Sequence, residues 1–517
     1  MNDLQRIELD ADWAVTRRFF DWRWWLRCRV KILVVTDTGG SFDTLSGFGL
    51  GRALDEIRAD QWPHVVFEFT TAHRRNTSAD ITNFTFDAHD LSQYHQIWLF
   101  GVERSGTPLP QSEMRALAEF MDGGGGVFAT GDHEDLGVDL CGQVPRVGSM
   151  RRWYHPIPGP NGEPVAPDQT GAGRLDTVVD PPGPSTGSQT DTIPQVIRPR
   201  WYTSPHPLVI FGHAKYPHPV LCGPEGVITH LPDHMHEGVI EVPADLTRQV
   251  TFDGYTTDEY PVANGVRPAP EVIAWATNHV TGEEFGVLGA YDGHRAGVGR
   301  VFVDATWHHW FNINMDPYRD GSDPGHATYD PSVVDKWEEI KAYLRNVASW
   351  LSPAGLQSCL RNNGWLFVIG NYEVLMSVKD LRKVTSRVEY FWQLGTFARD
   401  ALGRLASRCQ TVEWTWPWFA EQHMFIPPWV PVEEGTRIPS LPMLDPDDLA
   451  AVALGGAVHA LATELAGADP DSLAELINAE DRLLEIGRPG SDAALDALAA
   501  AYRHGAAWFG GTSASAD

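Results

Sequence analysis

Four nearly continuous apolar runs near the start of the chain limit what it can fold into. They are "KILVVTDTGG" (31–40), "HVVFEFTTA" (64–72), "YHQIWLFGV" (94–102) and "VFATG" (127–131). Helix-type segments separate them, "GRALDEIRAD" before the second run and "LPQSEMRALAEFMDGGGG" before the fourth. A strand that is apolar on both sides must be covered on both sides. Alternation with helices therefore predicts an α/β architecture around a parallel sheet. Ligands of such sheets bind outside the carboxyl ends of the strands. "TDTGGS" and "TGDHED" lie at those ends, so Asp37, Asp132 and His133 are expected on one rim.

A chain of 517 residues exceeds one ordinary core. Residues 1–29 form an aromatic, charged N-terminal extension, 30–352 an α/β domain and 353–517 an α-helical C-terminal domain. Within the second segment, residues 143–200 are rich in Pro and Gly and form a long insertion, either a lid over the rim or a surface excursion. Short β-like runs return between 201 and 311, among them "EVIAWAT", "FGVLGAY" and "RVFVDAT". An amphipathic helix follows at 332–351, where Val333, Trp337, Ile340, Tyr343, Leu344 and Val347 recur at helical spacing. Beyond Ser352-Pro353 helices are expected at 374–409 and in three Ala/Leu-rich stretches at about 446–467, 470–486 and 490–508.

Charge excludes some partners. Forty Lys and Arg face 68 Asp and Glu, a net charge of −28. That repels phosphate backbones and anionic lipid, so neither nucleic acid nor membrane is expected as a partner. No apolar run reaches the length of a membrane span, and the N-terminus lacks the apolar core of a signal peptide. A cytoplasmic location is expected. The five cysteines, Cys28, Cys141, Cys222, Cys359 and Cys409, are odd in number and far apart. This spacing predicts reduced thiols rather than a disulfide framework or a structural zinc site.

Histidine and carboxylate residues gather in three stretches. "TGDHEDLG" carries Asp132, His133, Glu134 and Asp135; "THLPDHMHEG" carries His230, Asp233, His234, His236 and Glu237; "DATWHHWFN" carries Asp304, His308, His309 and Asn312. Neutral imidazoles with carboxylates can hold Zn, Mn or Fe and leave a position for water. A His–carboxylate pair can equally act as a general base without metal. His234 and His236 lie two apart, on one face of a strand. His308 and His309 would face opposite ways on a strand, one into the site and one onto Trp307 or Trp310. Each histidine alone also suits a hydrogen-bonded structural role. Ser41 and Asp37 would complete the site, or Ser41 would cap the next helix.

Several segments together resemble the class I glutamine amidotransferase-like superfamily, in particular its trehalose-utilisation (ThuA-like) branch. They are "KILVVTD", "YHQIWLFG", "FMDGGGGVFATGDHE" and "GVGRVFVDATWHH", spread over about residues 30–351. The resemblance implies a flavodoxin-like parallel-sheet sandwich, with its site at the turn after "VFATG". Members with glutaminase activity carry a nucleophilic cysteine there. Here that turn holds Gly131-Asp132-His133, and Cys141 lies eight residues past His133. A cysteine glutaminase is therefore not expected, because the thiolate is what forms the thioester. The ThuA-like branch places a histidine near this turn, which matches His133, and sugars are one association of the branch.

These features lead to an expected hydrolase with a His/carboxylate site, in which a divalent metal is an option. His133, His308, Asp132, Glu134 and Glu237 are its candidate catalytic residues. His133, His234, His236 and His308 are the candidate metal ligands. A second expectation is a non-catalytic amidotransferase-like binding or assembly module, with homo-oligomers formed through the helical domain. A third is a sugar-binding or sugar-modifying protein whose tryptophans, from a total of 20, stack on a carbohydrate.

Overall fold

The computed structural model describes residues 27–59, 65–103, 107–132, 136–152, 177, 195–203, 215–223, 226–232, 238–278, 281–320, 336–403, 446–465, 472, 475–476, 479 and 481–510. Its centre is an eleven-stranded sheet. In chain order the strands are β1 (Cys28–Thr36), β2 (Val65–His73), β3 (Ile81–Thr82), β4 (Gln96–Phe100), β5 (Gly126–Thr130), β6 (Arg151–Arg152), β7 (Arg198–Pro199), β8 (Val239–Ile240), β9 (Glu271–Thr277), β10 (Glu284–Tyr291) and β11 (Val301–Asp304). Their spatial order is β3-β2-β1-β4-β5-β11-β10-β8-β6, with β9 also paired to β10 and β7 to β9.

The four apolar runs form β1, β2, β4 and β5, as expected. These four strands and β11 pair in parallel, in the order β2-β1-β4-β5-β11. Their burial explains the sequence pattern: β4 and β5 are buried at every position. Register sets one row at the carboxyl edge. Thr36 pairs with His73 on one side and Phe100 on the other, Phe100 pairs with Thr130, and Thr130 pairs with Asp304.

An all-parallel sheet does not result. The β9–β10, β10–β11 and β7–β9 pairs are antiparallel. Residues 278–283 and 292–300 join β9, β10 and β11, and such short links make hairpins, since a parallel crossover needs a dozen or more residues.

Helix α1 (Gly51–Ala59) connects β1 to β2, and α2 (Gln111–Asp122) connects β4 to β5. From β1 the chain steps one way across the sheet and from β4 the other way. Right-handed crossovers therefore put α1 and α2 on opposite faces. The short α3 (Val138–Cys141) follows β5, α4 (Asn312–Asp320) follows β11, and α5 (Trp337–Trp350) packs against α1. α5 lies close over the sheet: Gln96 donates from Nε2 to Ala348 O at 2.6 Å.

The expected reduced cysteines are corrected. Cys28 in β1 is disulfide-bonded to Cys359 in α6 (Ala354–Ile369), 331 residues away, and Cys222 is disulfide-bonded as well. Sequence spacing could not show this, because the partners meet only when α6 packs on β1. Among the described residues Cys141 is a free, buried thiol.

Among the described residues the region after 353 is mainly helical. It continues through α7 (Tyr372–Ser377), α8 (Arg387–Gly403), α9 (Pro446–Glu464) and α10 (Arg482–Gly510). The expected helix over 374–409 breaks between Ser377 and Arg387, where a 3-10 turn at Leu381–Lys383 is capped by Asp380. The expected boundary near 486–490 is absent, since α10 runs through Pro489. Packing holds the helices together there. A Cβ on Gly456 would lie 2.1 Å from Gly490 O, and one on Gly455 would lie 1.8 Å from Phe391 O, so only glycine permits this approach. Helix α9 is apolar around its circumference because α8 and α10 flank it. Among the described residues no helix is long and apolar enough to cross a membrane. The N-terminal extension through residue 26 and most of the 143–200 insertion lie outside the described residues.

Candidate functional site

The row Thr36, Phe100, Thr130 and Asp304 ends the parallel strands, and the residues after it build the rim. After β5 come Gly131 and Asp132, and Asp132 N donates to Leu136 O at 2.9 Å. Helix α3 begins at Val138. Gly137 takes φ +92° and meets Gly101 backbone to backbone, where a Cβ on Gly101 would lie 2.6 Å from Gly137 Cα. After β11, Thr306 caps a 3-10 turn at Trp307–His309 by accepting from His308 N. Trp307 N donates to Gly131 O at 2.7 Å, which ties the two loops together.

This tie brings Asp132 and His308 into contact. His308 Nε2 lies 3.3 Å from Asp132 Oδ2, and both side chains are almost wholly buried. The Thr306 hydroxyl donates to Asp132 Oδ1 at 3.1 Å. On the far side of the imidazole, His308 Nδ1 lies 3.0 Å from Asn314 Oδ1, and the Trp307 ring packs on it at 3.9 Å. Buried Arg151 clasps the rim from below, with its guanidinium donating to Asp132 O and, at 2.9 Å, to Ala305 O.

His309 belongs to a second buried cluster. Its Nδ1 lies 2.8 Å from Asp304 Oδ1 and its Nε2 lies 2.5 Å from Gln195 Oε1. Trp310 Nε1 and the Tyr343 hydroxyl both donate to Asp304 Oδ2, at 3.1 and 2.5 Å. Burial and the adjacent Asp304 charge push the Tyr343 phenol far up, so it acts as a donor. The expectation that one of His308 and His309 packs while the other faces the site is corrected. Both are buried because they sit in a 3-10 turn rather than a strand, and each reaches its own carboxylate.

A third group stands where the strand order reverses, between β1 and β4. Asp37 follows β1, and its Oδ1 accepts from Val102 N at 2.8 Å and Glu103 N at 3.0 Å. Its Oδ2 is buried and, among the described residues, has no hydrogen-bond partner. Burial raises its pKa to about 7 against the lowering effect of the two N–H donors, with Glu103 and Asp139 adding to the rise. Above it Arg75 donates to Thr38 Oγ1 and to Glu103 Oε1, at 3.1 and 2.8 Å. Ser41 is not part of the site and does not cap α1. Its hydroxyl donates to Asp43 at 2.8 Å within the 41–50 loop.

Cys141 also lies under the rim, with Sγ 3.6 Å from Thr130 O. Burial, then the Asp37 charge, pushes its thiol far up, so the thiolate a nucleophile needs is disfavoured. Of the sequence candidates, Asp132 and His308 meet, while His133, Glu134, His234, His236 and Glu237 lie outside the described residues. Among the described residues no group of three His, Cys, Asp or Glu could hold a metal ion. Both ring nitrogens of His308, the one candidate metal ligand among the described residues, face Asn314 and Asp132. Sequence analysis missed Arg151, Thr306, Asn314 and Gln195. Of these only Thr306 had a local signal, as the cap of the turn that follows it.

No protein-family model and no curated protein matches the chain. It is similar to a solved structure described as "mmIFT52 N-terminal domain", at 9% identity over 55% of this chain and 90% of that one, with a TM-score of 0.26. A likeness at that score bears no argument about fold or function.

Proposed function

We propose that the chain is a hydrolase acting on a small molecule at the carboxyl rim of the sheet through His/carboxylate chemistry. The observation that carries this is the convergence of Asp132 and His308, from two neighbouring strand ends, into one buried pair. A carboxylate beside an imidazole fixes the orientation and tautomer of the ring, which is what a general acid–base needs. The strand order β2-β1-β4-β5-β11 supports a flavodoxin-like sandwich and, with it, the amidotransferase-like and ThuA-like resemblance. The high pKa of the Cys141 thiol speaks against a cysteine glutaminase. A divalent Zn, Mn or Fe would enter this proposal through His133, His234, His236 and His308.

One observation favours the second reading, a non-catalytic binding or assembly module: Asp132 and His308 are shielded from solvent and already engaged. Homo-oligomers would form through the helical region, where Trp392 and Phe397 are exposed. A cytoplasmic location is likewise a proposal, and it is set against the Cys28–Cys359 bond, since disulfides persist in oxidising compartments.

The test is hydrolysis of chromogenic ester, anilide, glycoside and phosphoester substrates by the full chain, with elemental analysis of the same sample. One class should be hydrolysed, and Asp132→Asn, assayed where it remains folded, should lose about 100-fold or more. Absence of hydrolysis by the wild type, or an unchanged rate in the variant, would overturn the enzyme and leave the binding module.

A further inference from the structure

We propose that the crevice between the ends of β1 and β4 binds a neutral, hydroxyl-bearing small molecule, and that Oδ2 of Asp37 is the atom that meets it. The inference rests on the rim being the functional face but not on the Asp132–His308 pair. Three observations on this chain lead to it. The order of the parallel strands reverses between β1 and β4, and ligands of open α/β sheets bind at such a switch point. Asp37 is the first residue beyond β1, and two backbone N–H groups from beyond β4 hold its Oδ1. Among the described residues, Oδ2 is left buried without a hydrogen-bond partner, a costly arrangement that a ligand hydroxyl would relieve.

Charge selects the ligand class. Glu103 and Asp139 both act electrostatically on Asp37, and Cys141 lies near enough to feel its charge. Among the described residues, Arg75 at these strand ends is engaged by Glu103 and Thr38, and Arg74 by Glu113. Phosphate or carboxylate ligands would be repelled by this set. With its pKa raised to about 7, the Asp37 carboxyl alternates between donor and acceptor near neutrality. A hydroxyl is also both donor and acceptor, so it can meet either form.

Infrared difference spectroscopy of the full chain tests this, because the C=O stretch of a protonated carboxyl is distinct from that of a carboxylate. Titration of wild type minus Asp37→Asn should isolate one carboxyl whose band disappears with a midpoint near pH 7. D-glucose, as a neutral polyol probe, should move that midpoint down, since its hydroxyl supplies Oδ2 with the donor that favours the charged form. Inorganic phosphate should leave it in place. The glucose effect is also measured on the wild type alone, with and without the sugar, so it does not depend on the variant folding. A midpoint near that of an ordinary aspartate overturns the site. No shift with glucose, or a shift with phosphate, overturns the ligand class. Hydrolysis assays on Asp132→Asn do not bear on any of these outcomes.

Discussion

Nε2 of His308 lies 3.3 Å from Oδ2 of Asp132, a residue 176 positions earlier in the chain. The contact exists because β5 and β11 are neighbours in parallel register, so both strands end at the same level. Trp307 N and Gly131 O then lock the two following loops together.

Removing one partner should destabilise the fold, because it strands a buried polar group. His308→Ala should cost about 3 kcal/mol or more in urea unfolding. In a double-mutant cycle with Asp132→Asn, the coupling should exceed about 1 kcal/mol. Additive single effects would show that the two side chains do not interact.

Asp37 should make stability fall as pH rises. Its folded pKa is raised to about 7 from 3.8, so between these values the unfolded chain loses the proton first. Folding is undisturbed below about pH 4, weakens up to pH 7 and is fully penalised above it, by up to about 4 kcal/mol. Asp37→Asn should therefore match the wild type at pH 4 and be more stable at pH 8. A difference that does not change with pH would refute the raised pKa.

His218 and His294 should act in the opposite direction. Burial lowers both to about 3 from 6.5, with the Arg300 charge adding to the effect. Below pH 6.5 the unfolded imidazoles take up protons that the folded ones refuse, so stability is full above pH 6.5 and lost as pH falls toward 3. In the Asp37→Asn background, unfolding free energy should drop between pH 7 and pH 5 with no opposing contribution from Asp37. His218→Phe should flatten that drop, and an unchanged slope would count against the assignment.

Gly455→Ala should loosen the helical region. The new methyl would sit 1.8 Å from Phe391 O, which forces α8 and α9 apart. A loss of about 2 kcal/mol or more is expected for such overpacking. Gly355→Ala is the control: nothing lies within 4 Å of its Cβ, and it should be neutral or stabilising. Equal effects at both positions would mean that α8 and α9 are not in close contact.

Reduction should destabilise the chain strongly, because the Cys28–Cys359 bond closes a loop of 331 residues. Chain entropy alone sets this at up to about 5 kcal/mol. Cys28→Ser should lower the thermal midpoint and reduce its response to dithiothreitol, with the bond of Cys222 accounting for the response that remains.

The apolar runs at 31–40, 64–72, 94–102 and 127–131 were legible as strands because β4, β5 and the second half of β1 are buried on both faces and β2 mainly on one, which leaves a local trace in composition. The rim was legible for the same reason, since polar residues that end such runs must lie at strand ends. Arg151, Asn314 and Gln195 left no trace. Their roles come from contacts across long stretches of chain, and an isolated Arg, Asn or Gln in a sequence looks like a surface residue. Helix α6 was missed because its "AGLQSCLRNNGWLFVI" shows little amphipathic period, being buried on several sides.

By itself the sequence determined the α/β class, the strand-end position of Asp37 and Asp132, and the helical character of the C-terminal region. Those properties follow from local periodicity and from where apolar runs stop. Only the tertiary structure decided which histidine meets which carboxylate, that Cys28 and Cys359 are joined, and that one oxygen of Asp37 has no partner among the described residues. Each of these depends on register between strands distant in sequence and on burial, and neither is written in the order of neighbouring residues.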